Sequence, residues 1–260
     1  MNNQEETKVK EIGIPLYIVI LIFIVLISIL TFYIRNTHYK KTDDNILDNN
    51  EIDEIKVDET KITDAVTKKM LQLQELKKEN NDIVAWLEIP DTKINYPVLQ
   101  TTDNEYYLTH TYKKENSKDG SIFLDKDYDW NMPSSNLLIY GHNNKNGNMF
   151  QELLKYEDES YYKEHPTIQF TTVDEDSTYE IIAVFKSRVY YKNEQNVFRY
   201  YFFINAENEE EYNYYVEESK KASLYDTGKT AEYGDQLLTL STCEYSQEDG
   251  RFVIVAKKIE

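Results

Sequence analysis

Residues 236–257 read QLLTLSTCEYSQEDGRFVIVAK. Two runs rich in Leu, Val, Ile and Phe flank a polar loop, Glu244–Gly250, that closes on Asp249–Gly250. Apolar runs joined by a loop ending in Asp-Gly predict a β-hairpin. With Cys243 ending the first strand and Arg251 beginning the second, the two stand opposite each other in an antiparallel ladder. The same register sets Thr242 opposite Phe252, Leu240 opposite Ile254 and Leu238 opposite Ala256. Side chains alternate along a strand, so these six share one mostly apolar face, while Thr239, Ser241, Cys243 and Arg251 share the other. A thiol then lies beside a guanidinium at the end of a sheet. A neighbouring cation favours the nucleophilic thiolate form of a cysteine, and it can hold the oxyanion of an attacked carbonyl.

Cys243 is the single cysteine of 260 residues, so it can form neither an internal disulfide nor a cysteine-based zinc site. On residues alone, three uses remain: burial as a small hydrophobe, an intermolecular bridge, or chemistry.

Upstream of the hairpin the chain continues in short β-like runs: Ile83–Ile89, Ile94–Gln100, Tyr106–His110, Ser121–Asp125, Asn136–His142, Thr167–Thr172 and Tyr179–Val189. Turn signals such as Pro90–Asp91 and Asp119–Gly120 separate them. Short helices are expected over Met149–Tyr156 and Asp158–Lys163, and a longer one over Glu207–Lys221. Another is expected over residues 61–81, where Ile62, Val66, Met70, Leu73 and Leu76 recur at spacings of three and four. Many short strands with few helices between them imply a mainly β domain, a closed barrel or a sandwich carrying helices. The 23 tyrosines read as strand-surface residues without assigned function.

Composition narrows the partners. At 40% hydrophobic and 13% aromatic residues the chain is too apolar for disorder, and 7 Gly with 5 Pro exclude fibrous or low-complexity classes. The 47 acidic against 29 basic residues give a net charge of −18, with no basic stripe, which argues against nucleic acid.

From Ile12 to Ile34 no residue is charged. As a helix this run is roughly 34 Å long, enough to cross a ~30 Å hydrocarbon core. It ends in Phe32, Tyr33 and Ile34 rather than in a small-residue cleavage site, so it reads as an uncleaved signal anchor. Flanking charge (Lys8 and Lys10 against Arg35, Lys40 and Lys41) slightly favours the opposite orientation, but long domains translocate largely regardless of it. The expected organisation is a cytoplasmic tail over 1–11, a transmembrane anchor over 12–34, an acidic linker over 35–60 and an extracellular domain over 61–260.

Four histidines are available to complement the thiol. His38 is juxtamembrane, His165 precedes Pro166 and reads as a turn cap, and His110 ends an expected strand. His142 follows the apolar run Leu137–Gly141 and precedes the polar loop Asn143–Asn148, a strand-end mounting typical of functional residues. By itself that position fits a structural histidine equally well.

Thr239–Cys243 (TLSTC) followed by Arg251 resembles the T-L-x-T-C…R signature of sortases, and Tyr140-Gly141-His142 resembles that family's histidine segment in the same chain order. Sortases are membrane-anchored cysteine transpeptidases of Gram-positive bacteria. Ile83–Gln100 (IVAWLEIPDTKINYPVLQ), Gly120–Asp125 (GSIFLD), Ser241 within TLSTC and the helix before the barrel are similar to class B members.

The resemblance implies an eight-stranded β-barrel with N-terminal helices and a helix inserted before the last two strands. It implies Cys243 as nucleophile, His142 as general acid and base, and Arg251 as oxyanion holder, with no cofactor and no metal. Asn95, Leu99, Tyr140, Ser241 and Glu244 are the expected substrate contacts. The implied partners are surface proteins with a C-terminal sorting signal cleaved after Thr, and an amine acceptor from peptidoglycan precursor or, alternatively, a pilin lysine. Specificity is least legible between Val189 and Asp235, where the loops are rich in Tyr, Asn and Glu. Two other cysteine enzyme classes fit worse. L,D-transpeptidases place a His close before the Cys, and papain-like hydrolases place the Cys first, at a helix start. A non-catalytic anchored peptide-binding module is the reading from a different class, although nucleophile, His and Arg are all present.

Overall fold

The computed structural model of the chain describes residues 52–259, with side chains from residue 66 onward. The expected anchor over 12–34, the tail before it, His38 and most of the expected linker lie outside the described residues. Among the described residues no helix is long and apolar enough to cross a membrane. Residues from Lys61 onward form one compact unit, which holds the barrel.

Helix α1 runs Ile52–Glu79, starting inside the stretch read as linker. Lys77 and Lys78 in its last turn suit the negative end of the helix dipole. Leu73 is fully buried against Ile83, Leu99, Tyr107 and Phe123, so this helix covers one side of the sheet. Asn80 stops the helix. Its main-chain N–H bonds the Leu76 carbonyl, its Oδ1 accepts from Asp82 N–H, and its amide donates to Tyr107 Oη.

Eight strands follow: β1 (Ile83–Glu88), β2 (Asn95–Leu99), β3 (Ile122–Leu124), β4 (Asn136–Tyr140), β5 (Thr167–Thr171), β6 (Asp176–Arg188), β7 (Leu237–Cys243) and β8 (Gly250–Lys258). They close into a barrel in the order β1-β2-β3-β4-β7-β8-β6-β5, which resolves barrel against sandwich. Two neighbouring pairs, β2–β3 and β4–β7, are parallel. The interior is filled by alternate side chains, including Leu137 and Ile139 of β4, Leu238 and Leu240 of β7, and Phe252 and Ile254 of β8. Fully burying each such side chain contributes roughly 1.5–3 kcal/mol.

Helix α2 (Glu159–Glu164) is capped by Asp158, whose side chain accepts from Ser160 N–H, and His165 closes its C-terminus. Helix α3 (Glu209–Ala222) is inserted between β6 and β7. Asn208 caps it, Glu209, Glu210 and Glu211 fill its first turn, and Lys220 and Lys221 its last, so charge and cap agree with the dipole. Tyr212, Tyr215, Val216 and Ser219 recur at three- and four-residue spacing and form its buried face. That face lies on a second core outside the barrel wall, with Leu237, Val253 and Val255.

Three expectations need correction. Tyr106–His110 is not a strand. Tyr106–Leu108 forms a 3-10 turn in which Tyr107 is buried, and the His110 ring stacks on Tyr106 at 4.0 Å. The helix expected over Met149–Tyr156 is a 3-10 segment at Gln151–Glu157. The buried tyrosines are mostly not on strands. Tyr107, Tyr128, Tyr156, Tyr162, Tyr200, Tyr212 and Tyr215 lie on helices, turns and loops, and Tyr179 alone of the buried set lies on a strand.

Candidate active site

Strand β7 delivers the thiol. The β7–β8 register pairs Cys243 with Arg251, Thr242 with Phe252, Leu240 with Ile254 and Leu238 with Ala256, as the hairpin reading required. The Glu244 N–H to Gly250 carbonyl bond falls on the next pair, 2.9 Å long. Cys243 and Arg251 therefore form a non-hydrogen-bonded pair, in which side chains approach most closely, with Cα atoms about 4.5 Å apart. Cys243 is partly exposed. Arg251 Nη1 donates to the carbonyls of Asp249 and Gly250 at 3.2 and 2.9 Å, which fixes the guanidinium over the hairpin. Among the described residues no carboxylate pairs with Arg251. Glu244, the acidic group closest in sequence to Cys243, is turned away. It accepts from Ser246 Oγ at 2.6 Å and stands 4.0 Å from Lys186 Nζ.

Strand β4 delivers the histidine. It runs parallel to β7 with Tyr140 beside Ser241. Beyond the strand ends three bonds continue the seam: Gly141 N–H to the Ser241 carbonyl (3.2 Å), Thr242 Oγ1 to the Gly141 carbonyl (2.7 Å) and Asn143 Nδ2 to the Cys243 carbonyl (2.9 Å). Asn143 and Gly141 flank His142, so the backbone carrying the ring is fastened on both sides to the backbone carrying the thiol. The ring is oriented from across the cleft. His142 Nε2 lies 2.8 Å from the Leu108 carbonyl. A carbonyl only accepts, so Nε2 carries the proton and Nδ1 is the free ring nitrogen.

Gly120 makes room for this arrangement. It has φ +61°, and a Cβ there would lie 2.6 Å from the Tyr107 carbonyl, 2.8 Å from the Leu108 carbonyl and 3.0 Å from the His142 ring. Glycine alone supplies both the left-handed backbone and the clearance.

Cys243, His142 and Arg251 line one cleft of about 270 Å³ together with Tyr140 and Ser241. Its remaining walls come from Asn104 and Leu108 before β3, Phe123, and Val189, Tyr200 and Tyr201 in the connection after β6. Tyr200 Oη and Ser241 Oγ are 2.7 Å apart. Burial pushes the Tyr200 hydroxyl well above its ordinary range, and the Ser241 bond and the Arg251 charge only partly oppose this. Burial and the adjacent Asp125 carboxylate do the same to Tyr140. Both phenols stay neutral, and Tyr140 donates to Asp125 Oδ2 at 2.9 Å.

Of the expected substrate contacts, Tyr140 and Ser241 are in the cleft, whereas Asn95, Leu99 and Glu244 are not among its lining residues. Asn95 accepts from the Trp86 indole, and Leu99 is fully buried beneath α1. Asn104, Leu108, Val189, Tyr200 and Tyr201 escaped the sequence reading. Only the tyrosine-rich, unaligned stretch after Val189 hinted at the last three. His110 lies outside the cleft, its Nδ1 bonded to the Tyr106 carbonyl, and His165 Nδ1 contacts the Pro90 carbonyl. Among the described residues no cluster of His, Cys, Asp and Glu is arranged to hold a metal ion.

The closed eight-stranded barrel and the sequence that forms it have counterparts of known class. The sortase domain family matches residues 87–259. Sortase B of Listeria monocytogenes is 37% identical over 190 residues, 72% of this chain and 74% of that protein. The crystal structure of Clostridium perfringens sortase B superposes with a TM-score of 0.65 at 32% identity, over 72% of this chain and 99% of the other. A Staphylococcus aureus sortase B–substrate complex superposes with a TM-score of 0.65 at 28% identity, over 78% and 98%. The chain belongs to the sortase family. Within that family it is a cysteine transpeptidase of class B.

Proposed function

We propose that Cys243 is the nucleophile, His142 the proton carrier and Arg251 the oxyanion holder of a transpeptidase that cleaves a C-terminal sorting signal after Thr. Cys243 attacks the threonyl carbonyl, and Arg251 donates hydrogen bonds to the negative charge that develops on its oxygen. His142, protonated at Nδ1, gives that proton to the leaving amine, and a thioester remains on Cys243. An incoming amine then attacks the thioester while Nδ1 takes its proton, and the new amide leaves with the thiolate restored. Splitting acyl transfer in this way lowers each barrier, and positioned proton transfer contributes typically 10²–10⁴-fold.

The observation that carries this reading is the register: Cys243 faces Arg251 directly, with His142 sewn to the same strand. Tyr140 and Ser241 serve as substrate contacts from the cleft walls, and the similarity to a Staphylococcus aureus sortase B–substrate complex supports a substrate-binding role for this domain. Surface proteins are the substrates the family implies. The acceptor is a peptidoglycan-precursor amine, and the apolar run Ile12–Ile34 anchors the enzyme in the cell membrane with its barrel outside.

The test is cleavage of quenched fluorescent peptides, each with Thr at the scissile position, by the full chain in detergent. Cysteine-dependent scission after Thr, with a thioester trapped on Cys243 and discharged by added amine, is the expected result. A folded chain whose thiol resists alkylation and cleaves none of the peptides would instead be a binding module.

A further inference from the structure

Asp125 is a buried carboxylate that the chemistry above leaves unused. It follows β3 directly and is 4% exposed. Its backbone is fixed on both sides, by a bond from its N–H to the Leu138 carbonyl and by the Gln100 amide donating to its own carbonyl. Its Oδ1 accepts from Asp127 N–H at 2.9 Å. Its Oδ2 accepts two bonds at once, from Tyr140 Oη and from Asn104 Nδ2, each 2.9 Å. Tyr140 and Asn104 come from separate parts of the chain, and both line the cleft. Among the described residues no cation pairs with this carboxylate, and the adjacent Lys126 is engaged by Asp127.

A buried charge persists only when several donors hold it, and bonds to an ionised oxygen are roughly twice as strong as neutral ones. Here two of the three donors are cleft-wall side chains. Asn104 is held at both ends, because its Oδ1 accepts from Lys126 N–H at 2.8 Å.

We propose that Asp125 is a positioning residue: it fastens Tyr140 and Asn104 into one rigid cleft wall and thereby sets how tightly the peptide substrate is held. This rests on the assignment of the cleft to peptide substrate. Asp125 does not touch the reacting atoms, so its loss acts on substrate capture rather than on the chemical step. Asparagine cannot replace it: with its one oxygen serving Tyr140 and Asn104, its NH₂ faces the third donor, the Asp127 N–H.

The experiment is steady-state cleavage of a quenched fluorescent peptide with Thr at the scissile position, using the full chain. Asp125→Asn is expected to raise KM about 10-fold with kcat changed less than about 3-fold. In a background of Tyr140→Phe and Asn104→Ala, the same substitution is expected to change KM by less than about 2-fold, because the groups it acts through are gone. An unchanged KM, or full additivity in that background, overturns the proposal.

Asn104→Asp, at a half-buried position, gives a second reading should Asp125→Asn fail to fold. It sets two carboxylates against each other where Asn104 now donates to Asp125. At one fixed pH its KM is expected to exceed that of Asn104→Ala, which only leaves the wall unpaired, with kcat changed less than about 3-fold. A KM no higher than that of Asn104→Ala overturns the proposal. Cys243→Ala run in parallel separates the two claims. Cleavage retained there overturns the cleft assignment, whereas cysteine-dependent cleavage with KM indifferent to Asp125 overturns the role of Asp125 alone.

Discussion

Strand β7 is built differently on its two faces. Leu238 and Leu240 point into the barrel, where their neighbours are other apolar side chains. Thr239 and Ser241 point outward, and each hydroxyl meets a tyrosine from the segment between β6 and β7: Tyr215 Oη lies 2.8 Å from Thr239 Oγ1, and Tyr200 Oη 2.7 Å from Ser241 Oγ. Thr239 also donates to Asn136 Oδ1 at 2.9 Å. The inner face is held by shape and burial, whereas the outer face is a row of paired polar atoms that runs out at Cys243. The barrel supplies rigidity from one side of the strand and chemistry from the other, so the two properties should respond to different substitutions.

The sharpest break between the faces is at the strand end. Cys243→Ala should abolish peptide cleavage and acyl-enzyme formation while circular dichroism and the melting temperature stay near those of the unsubstituted chain. A collapsed fold would mean the thiol is a packing residue. Across the ladder, Arg251→Ala should lower kcat by about 10²–10³, the usual loss on removing an oxyanion donor, again with little change in stability. On the inner face the pattern should invert. Leu240→Ala should destabilise the domain by about 2–5 kcal/mol in urea melts, while the fraction that remains folded keeps its kcat.

Smaller effects test the polar row itself. Tyr215→Phe removes one of the two partners of Thr239 and should cost about 1 kcal/mol in the same melts, with kcat and KM unmoved. The tyrosines also give the outer face a pH signature that the leucines lack. Burial raises the Tyr200 and Tyr215 hydroxyls above their ordinary value of 10.0. Below that value neither state loses the proton and the stabilisation is complete. Above it the unfolded chain ionises first, so stability falls with rising pH until the folded groups ionise as well. Urea midpoints should therefore drop between about pH 8 and about pH 10.5. The drop should be smaller in Tyr215→Phe and unaltered in Leu240→Ala.

The hairpin register and the Cys243–Arg251 pair were legible in the sequence because the two strands are close in sequence and one short loop fixes their pairing. The Tyr106–His110 stretch misled for an equally local reason. It has strand-like composition but no partner strand, and Tyr107 is drawn into bonds with Asn80 and Asp82 instead. The orientation of His142 had no signal at all, because its partner is the backbone carbonyl of Leu108, and a carbonyl carries no residue identity. The tyrosines were visible as a number, but their role was not. Pairing them one by one with the hydroxyls of β7 requires knowing that α3 and the Tyr200 turn lie over that strand.

The parallel seam between β4 and β7 has a consequence in time. Asn143 bonds the Cys243 carbonyl across 100 residues of chain. Contacts of such long sequence separation close late in folding, since loop entropy must be overcome before they stabilise anything. The β7–β8 hairpin, by contrast, is local and can bring thiol and guanidinium together early. Thiol and guanidinium can thus be paired before the His142 ring, although it comes earlier in the chain, is held beside them. Full reactivity arrives only with closure of the barrel, so activity itself reports completion of the fold.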